Sequence, residues 1–239
     1  MKKQLTLLAL LFLSLSCGEK KEKETAETIA AYTPDRYVEN NCLYSKVLPE
    51  IDIQVAEEFK YIGTFDFVLK ANSDEAPPEL KGKAIAGGDR YVFAVADDNQ
   101  KVRKLFIVQL EGFLPGIDYT YNYNFDTAEQ IGNNKYRHNT WFYDSAQLAI
   151  DNPENEGALT RAFLEKKGYT LEDHFMMSRW VGLASEDRKN EIIMYYLEML
   201  KDRTGHTLEE YEALDEDRVK AIKDGLIGRS KKSFSIVKG

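Results

Sequence analysis

Asp89-Arg90-Tyr91-Val92-Phe93-Ala94-Val95-Ala96 is followed by Asp97-Asp98-Asn99-Gln100 and then by Lys101-Val102-Arg103-Lys104-Leu105-Phe106-Ile107-Val108-Gln109-Leu110-Glu111-Gly112-Phe113. Two runs rich in Val, Ile, Phe and Tyr flank four polar residues. That is the signature of a β-hairpin, because β-branched and aromatic side chains suit a pleated surface and a short polar turn reverses the chain. An antiparallel sheet is therefore the first expectation.

The same period of two extends outward from this hairpin. Ile51, Ile53 and Val55 alternate with Asp52 and Gln54, and Tyr61, Gly63, Phe65, Phe67 and Leu69 form one face of the next run. Downstream, Tyr119, Tyr121, Tyr123 and Phe125 alternate with Thr120, Asn122 and Asn124, which reads as a half-buried strand with its rings inward. Tyr136 to Tyr143 is a further strand, and Pro77-Pro78 and Leu114-Pro115-Gly116 mark loops. Gly87-Gly88 reads as a turn or bulge. Residues 37–144 are thus expected to form an antiparallel meander of six or seven strands, curled or barrel-like.

After Asp144 the spacing becomes helical. Asn152-Pro153 places a cap before a proline at the first helical position, and Gly168 stops that helix. Thr170-Leu171-Glu172-Asp173 opens a second helix, and Ser185-Glu186-Asp187 opens a third. The third carries an apolar stripe of Ile192, Ile193, Tyr196, Leu197 and Leu200, ended by Gly205. Thr207 opens a fourth, and Asp215 caps a fifth that ends near Gly225. The hexapeptides starting at Gly168 and Gly205 echo each other, with Thr170 and Thr207 as matching N-caps. Residues 145–239 are expected to be a helical group packed on the sheet, with Ser233–Val237 returning as a terminal strand. Strands followed by helices define an α+β class, with residues 37–239 as one domain.

The chain opens Met1-Lys2-Lys3-Gln4, continues from Leu5 to Leu15 almost wholly apolar, and then reads Ser16-Cys17-Gly18. The apolar run is about 11 residues, roughly half of the ~20 that cross a bilayer as a helix. Lysines, a short apolar run, small residues and a cysteine resemble the lipobox of bacterial lipoproteins. One position departs from that pattern: Ser14 stands where a leucine is usual. The resemblance implies that residues 1–16 are a signal peptide removed by cleavage. It further implies that Cys17 carries a diacylglycerol and a fatty acyl group such as palmitate, and that these acyl chains make the membrane the first partner. Residues 17–36 follow as the lipidated cysteine and a charged tether, since GEKKEKETAE at 18–27 has too little apolar surface to fold. Lys/Glu-rich residues at this place also resemble the surface-export signals of some Bacteroidetes lipoproteins. The expected location is the cell envelope, the outer membrane rather than the inner, facing the periplasm or the surface.

With 32 basic against 40 acidic residues the chain has a net charge of −8, which excludes electrostatic attraction to nucleic acid. Once Cys17 is lipidated, Cys42 is the single thiol left, so it is expected to be a small buried residue and the fold to rest on its core.

Chemistry-bearing motifs are sparse. His138, His174 and His206 lack metal-ligand spacing, and no phosphate-binding loop, dinucleotide fingerprint or nucleophile elbow is present. No cofactor is implied, and no catalytic or metal residue is assigned. Glu172, Asp173 and His174 diverge on a helix and are read as structural. What remains is an aromatic and amide-rich segment between Tyr119 and Tyr143. On one strand face it presents Trp141, Asn139 and Tyr143, which suit an amphipathic small molecule or a glycan. The expected function is a non-catalytic envelope protein that binds a small molecule, a glycan or a partner protein. A hydrolase with a site assembled from distant loops, and a structural scaffold of an envelope complex, are the alternatives.

Overall fold

The structure, a computed structural model, describes residues 35–72 and 77–239. The expected signal peptide, Cys17 and most of the expected tether, residues 1–34, lie outside the described residues. Strands β1 (Arg36–Glu39), β2 (Cys42–Ser45), β3 (Ile51–Val55), β4 (Lys60–Lys70), β5 (Ala84–Ala96) and β6 (Val102–Phe113) come first. Then follow β7 (Glu129–Ile131), β8 (Asn134–Asp144), α1 (Ser145–Asp151) and α2 (Glu156–Lys166). The C-terminal part contains β9 (His174–Leu183), β10 (Asn190–Met199), α3 (Leu200–Thr204), α4 (Leu208–Glu212), α5 (Glu216–Ser230) and β11 (Phe234–Lys238).

These strands form two antiparallel sheets. The small one has the order β1-β2-β3-β11, and the large one β4-β5-β6-β10-β9-β8-β7. Neither closes into a barrel, so the class is α+β with open sheets. The hairpin from Asp89 to Phe113 is present as β5 and β6, paired from Ala86↔Phe113 to Ala96↔Val102. The terminal strand is also present, as β11 beside β3.

The central strands of the large sheet, β6, β10 and β9, are buried on both faces. On one face Phe106, Val108, Trp180, Met194 and Tyr196 pack against Leu43, Ile53 and Val55 of the small sheet and Leu226 of α5. On the other, Leu105, Ile107, Phe175, Met177, Tyr195 and Leu197 pack toward Leu164 and Phe163 of α2. Each fully buried large side chain contributes about 1.5–3 kcal/mol, so this double burial supplies the fold, with no disulfide among the described residues. Cys42 is indeed a buried free thiol.

Double burial also explains the main departure from the sequence expectation. The second and third helices expected after Thr170 and Ser185 are instead β9 and β10. Ile192, Met194 and Tyr196 face the small sheet, while Ile193, Tyr195 and Leu197 face the helical layer. A strand apolar on both faces loses its alternation and reads as a continuous run, which a helical stripe mimics. Consequently Thr170 is no helix cap: its backbone bonds to Gln100 and Val102 beside the β5–β6 turn. Thr207 does cap α4, in a full capping box with Glu210, and Asp215 caps α5, which runs on to Ser230 rather than ending near Gly225. Asn152 ends α1 instead of starting α2, and Asn155 is the true N-cap of α2.

Three strand expectations are also corrected. Tyr119 to Phe125 joins no ladder, since β6 already has β5 and β10 as neighbours. It runs as an extended strap instead. Tyr121 N donates to the Arg188 carbonyl at 2.8 Å, and Arg188 Nε donates back to the Tyr121 carbonyl at 2.9 Å. The alternation survives because rings stack: Phe113 to Tyr121 at 4.6 Å and Tyr121 to Tyr123 at 5.9 Å, with Asn122 and Asn124 exposed. Gly87 and Gly88 lie inside β5 rather than at a turn; a side chain at Gly88 would collide with the Leu110 carbonyl. In β4, a bulge between Tyr61 and Gly63 turns Tyr61 onto Phe93, whereas Phe65 meets Phe163 on the opposite face.

Candidate functional site

The helical hairpin α1–α2 does not seal the sheet face it covers. Between them lies a cavity of about 560 Å³, within the range of small-molecule sites. Leu105, Ile107, Phe175, Met177 and Leu197 supply its apolar floor, and Leu148, Gly157 and Thr160 its roof. Asp144 sets the roof by capping α1, accepting from Gln147 N at 2.8 Å. A second hollow of about 620 Å³ near β11 is bounded by only seven residues and has no apolar floor of this kind.

One end of the cavity is strongly polar. Arg90 of β5 is only 3% exposed. Its Nε donates to Gln109 Oε1 at 2.5 Å, and its Nη1 donates to the Glu156 carbonyl at 2.7 Å and to Thr160 Oγ1 at 2.5 Å. The guanidinium carbon lies 4.8 Å from the centre of the Tyr195 ring, and that of Arg179 lies 5.8 Å from the same ring. Tyr195 is thus held between two arginines, an arrangement that the ring quadrupole favours. Burial pushes the Tyr195 hydroxyl up from its ordinary range. Burial works against the charge on Arg179, but Tyr195, Tyr123 and Glu191 outweigh it and raise its pKa.

Beyond this end, still on the same sheet face, two carboxyl groups are buried. Glu111 and Glu191 are directly paired across β6 and β10 and are 7% and 2% exposed. Glu111 accepts from Gln109 Nε2 and, at 2.7 Å, from the Tyr121 hydroxyl. Glu191 Oε2 has no hydrogen-bond partner among the described residues. Burial first, and the Glu111 charge second, push the Glu191 carboxyl up to about 8. Burial likewise raises Tyr121 and Tyr123, whose rings cover this pair.

Of the residues singled out in the sequence, Trp141 and Tyr143 line the cavity. Asn139 shares their face of β8 and stands opposite Arg179 in the ladder, but it is exposed and outside the cavity lining. His138 faces the other way. Its Nε2 is 2.8 Å from Ser178 Oγ and its ring 4.1 Å from Trp180, and burial lowers its pKa. His174 Nε2 lies 3.3 Å from Asp144 Oδ2 at the cavity rim, a pairing made by the β8–β9 register. Arg90, Arg179, Tyr195 and Thr160 escaped the sequence reading. The available signal was a lone arginine inside each of two strongly apolar strands.

Among the described residues, no group of three or more His, Cys, Asp or Glu side chains is placed to hold a metal ion. Comparison with known protein families, curated proteins and solved structures finds no match.

Proposed function

We propose that this protein is a lipid-anchored component of the cell envelope that binds a small amphipathic molecule between its large sheet and the α1–α2 hairpin. The observation that carries this reading is the cavity itself. An apolar floor, the buried Arg90 and half-buried Arg179 around Tyr195, and the half-buried rings of Trp141 and Tyr143 converge on one volume. Oriented polar groups over apolar walls are what amphipathic ligands require. The anchor follows from the sequence around Cys17, and the tether after it gives the domain reach from the bilayer.

The test is mass spectrometry of the intact protein isolated from its native membranes. A bound small molecule is expected with the wild type and absent from Trp141→Ala, with the circular dichroism of the two proteins equal. A wild type that carries nothing, and gains nothing from envelope extracts, overturns the reading.

A second reading has one observation in its favour. Asp144, which lines the cavity, meets His174 at 3.3 Å, so an acid-oriented imidazole stands behind the cavity wall. In a hydrolase that imidazole would activate water. Release of product from a chromogenic ester panel, lost in His174→Gln, would favour this second reading.

A further inference from the structure

The ligand class follows from an imbalance at the polar end of the cavity. Arg90 makes three hydrogen bonds, and none of the acceptors is charged: an amide oxygen, a main-chain carbonyl and a hydroxyl. Among the described residues no carboxylate lies within ion-pair distance of Arg90 or of Arg179, although other cationic side chains form such pairs. A buried guanidinium without a counter-charge is costly, and evolved interiors pair it or give it a ligand. Arg90 is such a guanidinium, and the half-buried Arg179 lies against the same ring on the cavity floor.

The nearby acids do not serve this role. Glu111 is tied to Gln109 and Tyr121, and Glu191 faces Glu111 across the ladder, neither within ion-pair distance of Arg90 or Arg179. Asp144 caps α1 and meets His174, and Asp151 accepts from Gln147, both at the exposed α1 rim. Glu156, in the first turn of α2, offers Arg90 its carbonyl.

The floor changes character along the strands. Arg179, Met177 and Phe175 point to the same face of β9, and Tyr195 and Leu197 follow the same course in β10. From Arg179 to Phe175 the distance is about 13 Å at ~3.3 Å per residue. At ~30 Å³ per water, 560 Å³ holds about 19 waters, enough for a medium-length chain with its head group.

We propose that the cavity binds a carboxylate-headed amphiphile, its head at the polar end that Arg90 and Arg179 line and its apolar body over Leu197, Met177 and Phe175. This rests on the binding reading above and adds the chemistry of the ligand. A planar carboxylate matches the arginine fork, and charge-assisted bonds in a dry site are about twice as strong as neutral ones.

Three probes with one shared chain and different heads decide it: decanoate, decanol and decylamine. They are titrated into the full chain held in nanodiscs, with empty nanodiscs as the blank, and read by tryptophan fluorescence. Trp141 lies in the cavity and Trp180 is sealed on the opposite sheet face, so the Trp141→Phe protein supplies the background. Decanoate is expected to bind about tenfold or more tightly than decanol, with decylamine weakest. In Arg179→Gln, decanoate should fall to the affinity of decanol while decanol is unchanged. Because Arg179→Gln also removes packing on Tyr195, the wild-type series stands as the independent arm. Equal binding of all three probes, or tightest binding of the amine, overturns the carboxylate assignment and leaves the cavity reading intact. No binding of any probe overturns both.

Discussion

Glu111 and Glu191 stand opposite each other in the β6–β10 ladder, both buried, and burial and the facing Glu111 raise the Glu191 carboxyl. Two like charges directly across a ladder repel, and in a dry interior neither is solvated. The folded state therefore holds a proton that the unfolded chain releases. Around Glu191 lie Glu111, Tyr123 and Arg179, with Tyr121 bonded to Glu111.

The pH dependence follows from that proton. The Glu191 carboxyl is raised from its ordinary 4.5 to about 8 in the folded state. Its contribution is complete below about pH 4.5 and is lost as pH climbs toward 8, by up to about 1.4 kcal/mol per unit. Glu191→Gln, an amide that needs no proton, should flatten this slope and match or exceed the wild type in stability above pH 8. Urea unfolding at a series of pH values measures it; parallel slopes would exclude a raised Glu191 carboxyl.

The buried ion pair between β10 and α5 should respond differently. Arg229 Nε and Nη2 donate to Glu198 at 2.7 and 2.6 Å, and Glu198 is 1% exposed. Arg229→Ala leaves that carboxylate without its bidentate partner and should cost about 3–5 kcal/mol. Replacing both partners with apolar residues should recover much of the loss. Thermal unfolding of the single and double variants gives the comparison.

The two threonines of the repeated hexapeptide should now part company. Thr207→Ala removes the α4 capping box and should cost about 1 kcal/mol. Thr170→Ala touches no helix end and should cost clearly less. Equal losses in denaturant melts would mean that Thr170 has a structural role beyond its backbone bonds.

Lipidation is tested by Cys17→Ala. The wild type should partition into the detergent phase and the variant into the aqueous phase, because stable anchoring needs acyl chains. A wild type found in the aqueous phase with another N-terminus would remove the anchor from the proposed function.

What was legible in the sequence was set by how each face is covered. The Asp89–Phe113 hairpin was readable because its turn is polar and its runs are rich in strand-forming residues. Asn190–Met199 was not, because neighbours on both sides erase the alternation, although Ile192, Ile193, Tyr195 and Tyr196 already favoured a strand. In Tyr119–Phe125 the alternation was genuine, but it recorded ring stacking over Glu111 rather than a ladder. Trp141 and Tyr143 could be found as aromatic residues on one strand face. Arg90, Tyr195 and Arg179 could not be grouped, since only the β5–β6, β6–β10 and β9–β10 registers bring them together.

The seam between β6 and β10 has a kinetic consequence. On one side of it, β4, β5 and β6 form a meander of sequence neighbours, and on the other side β7 to β10 form a second. Each meander pairs strands that follow one another in the chain, whereas the seam joins Val102–Phe113 to Asn190–Met199 across the longest separation in the large sheet. Loop-closure entropy and contact order place that joining late in folding. Arg90 belongs to the first meander, and Tyr195 and Arg179 to the second. The polar end of the cavity therefore forms only once this seam has joined, so a chain that captures ligand has brought its two meanders together.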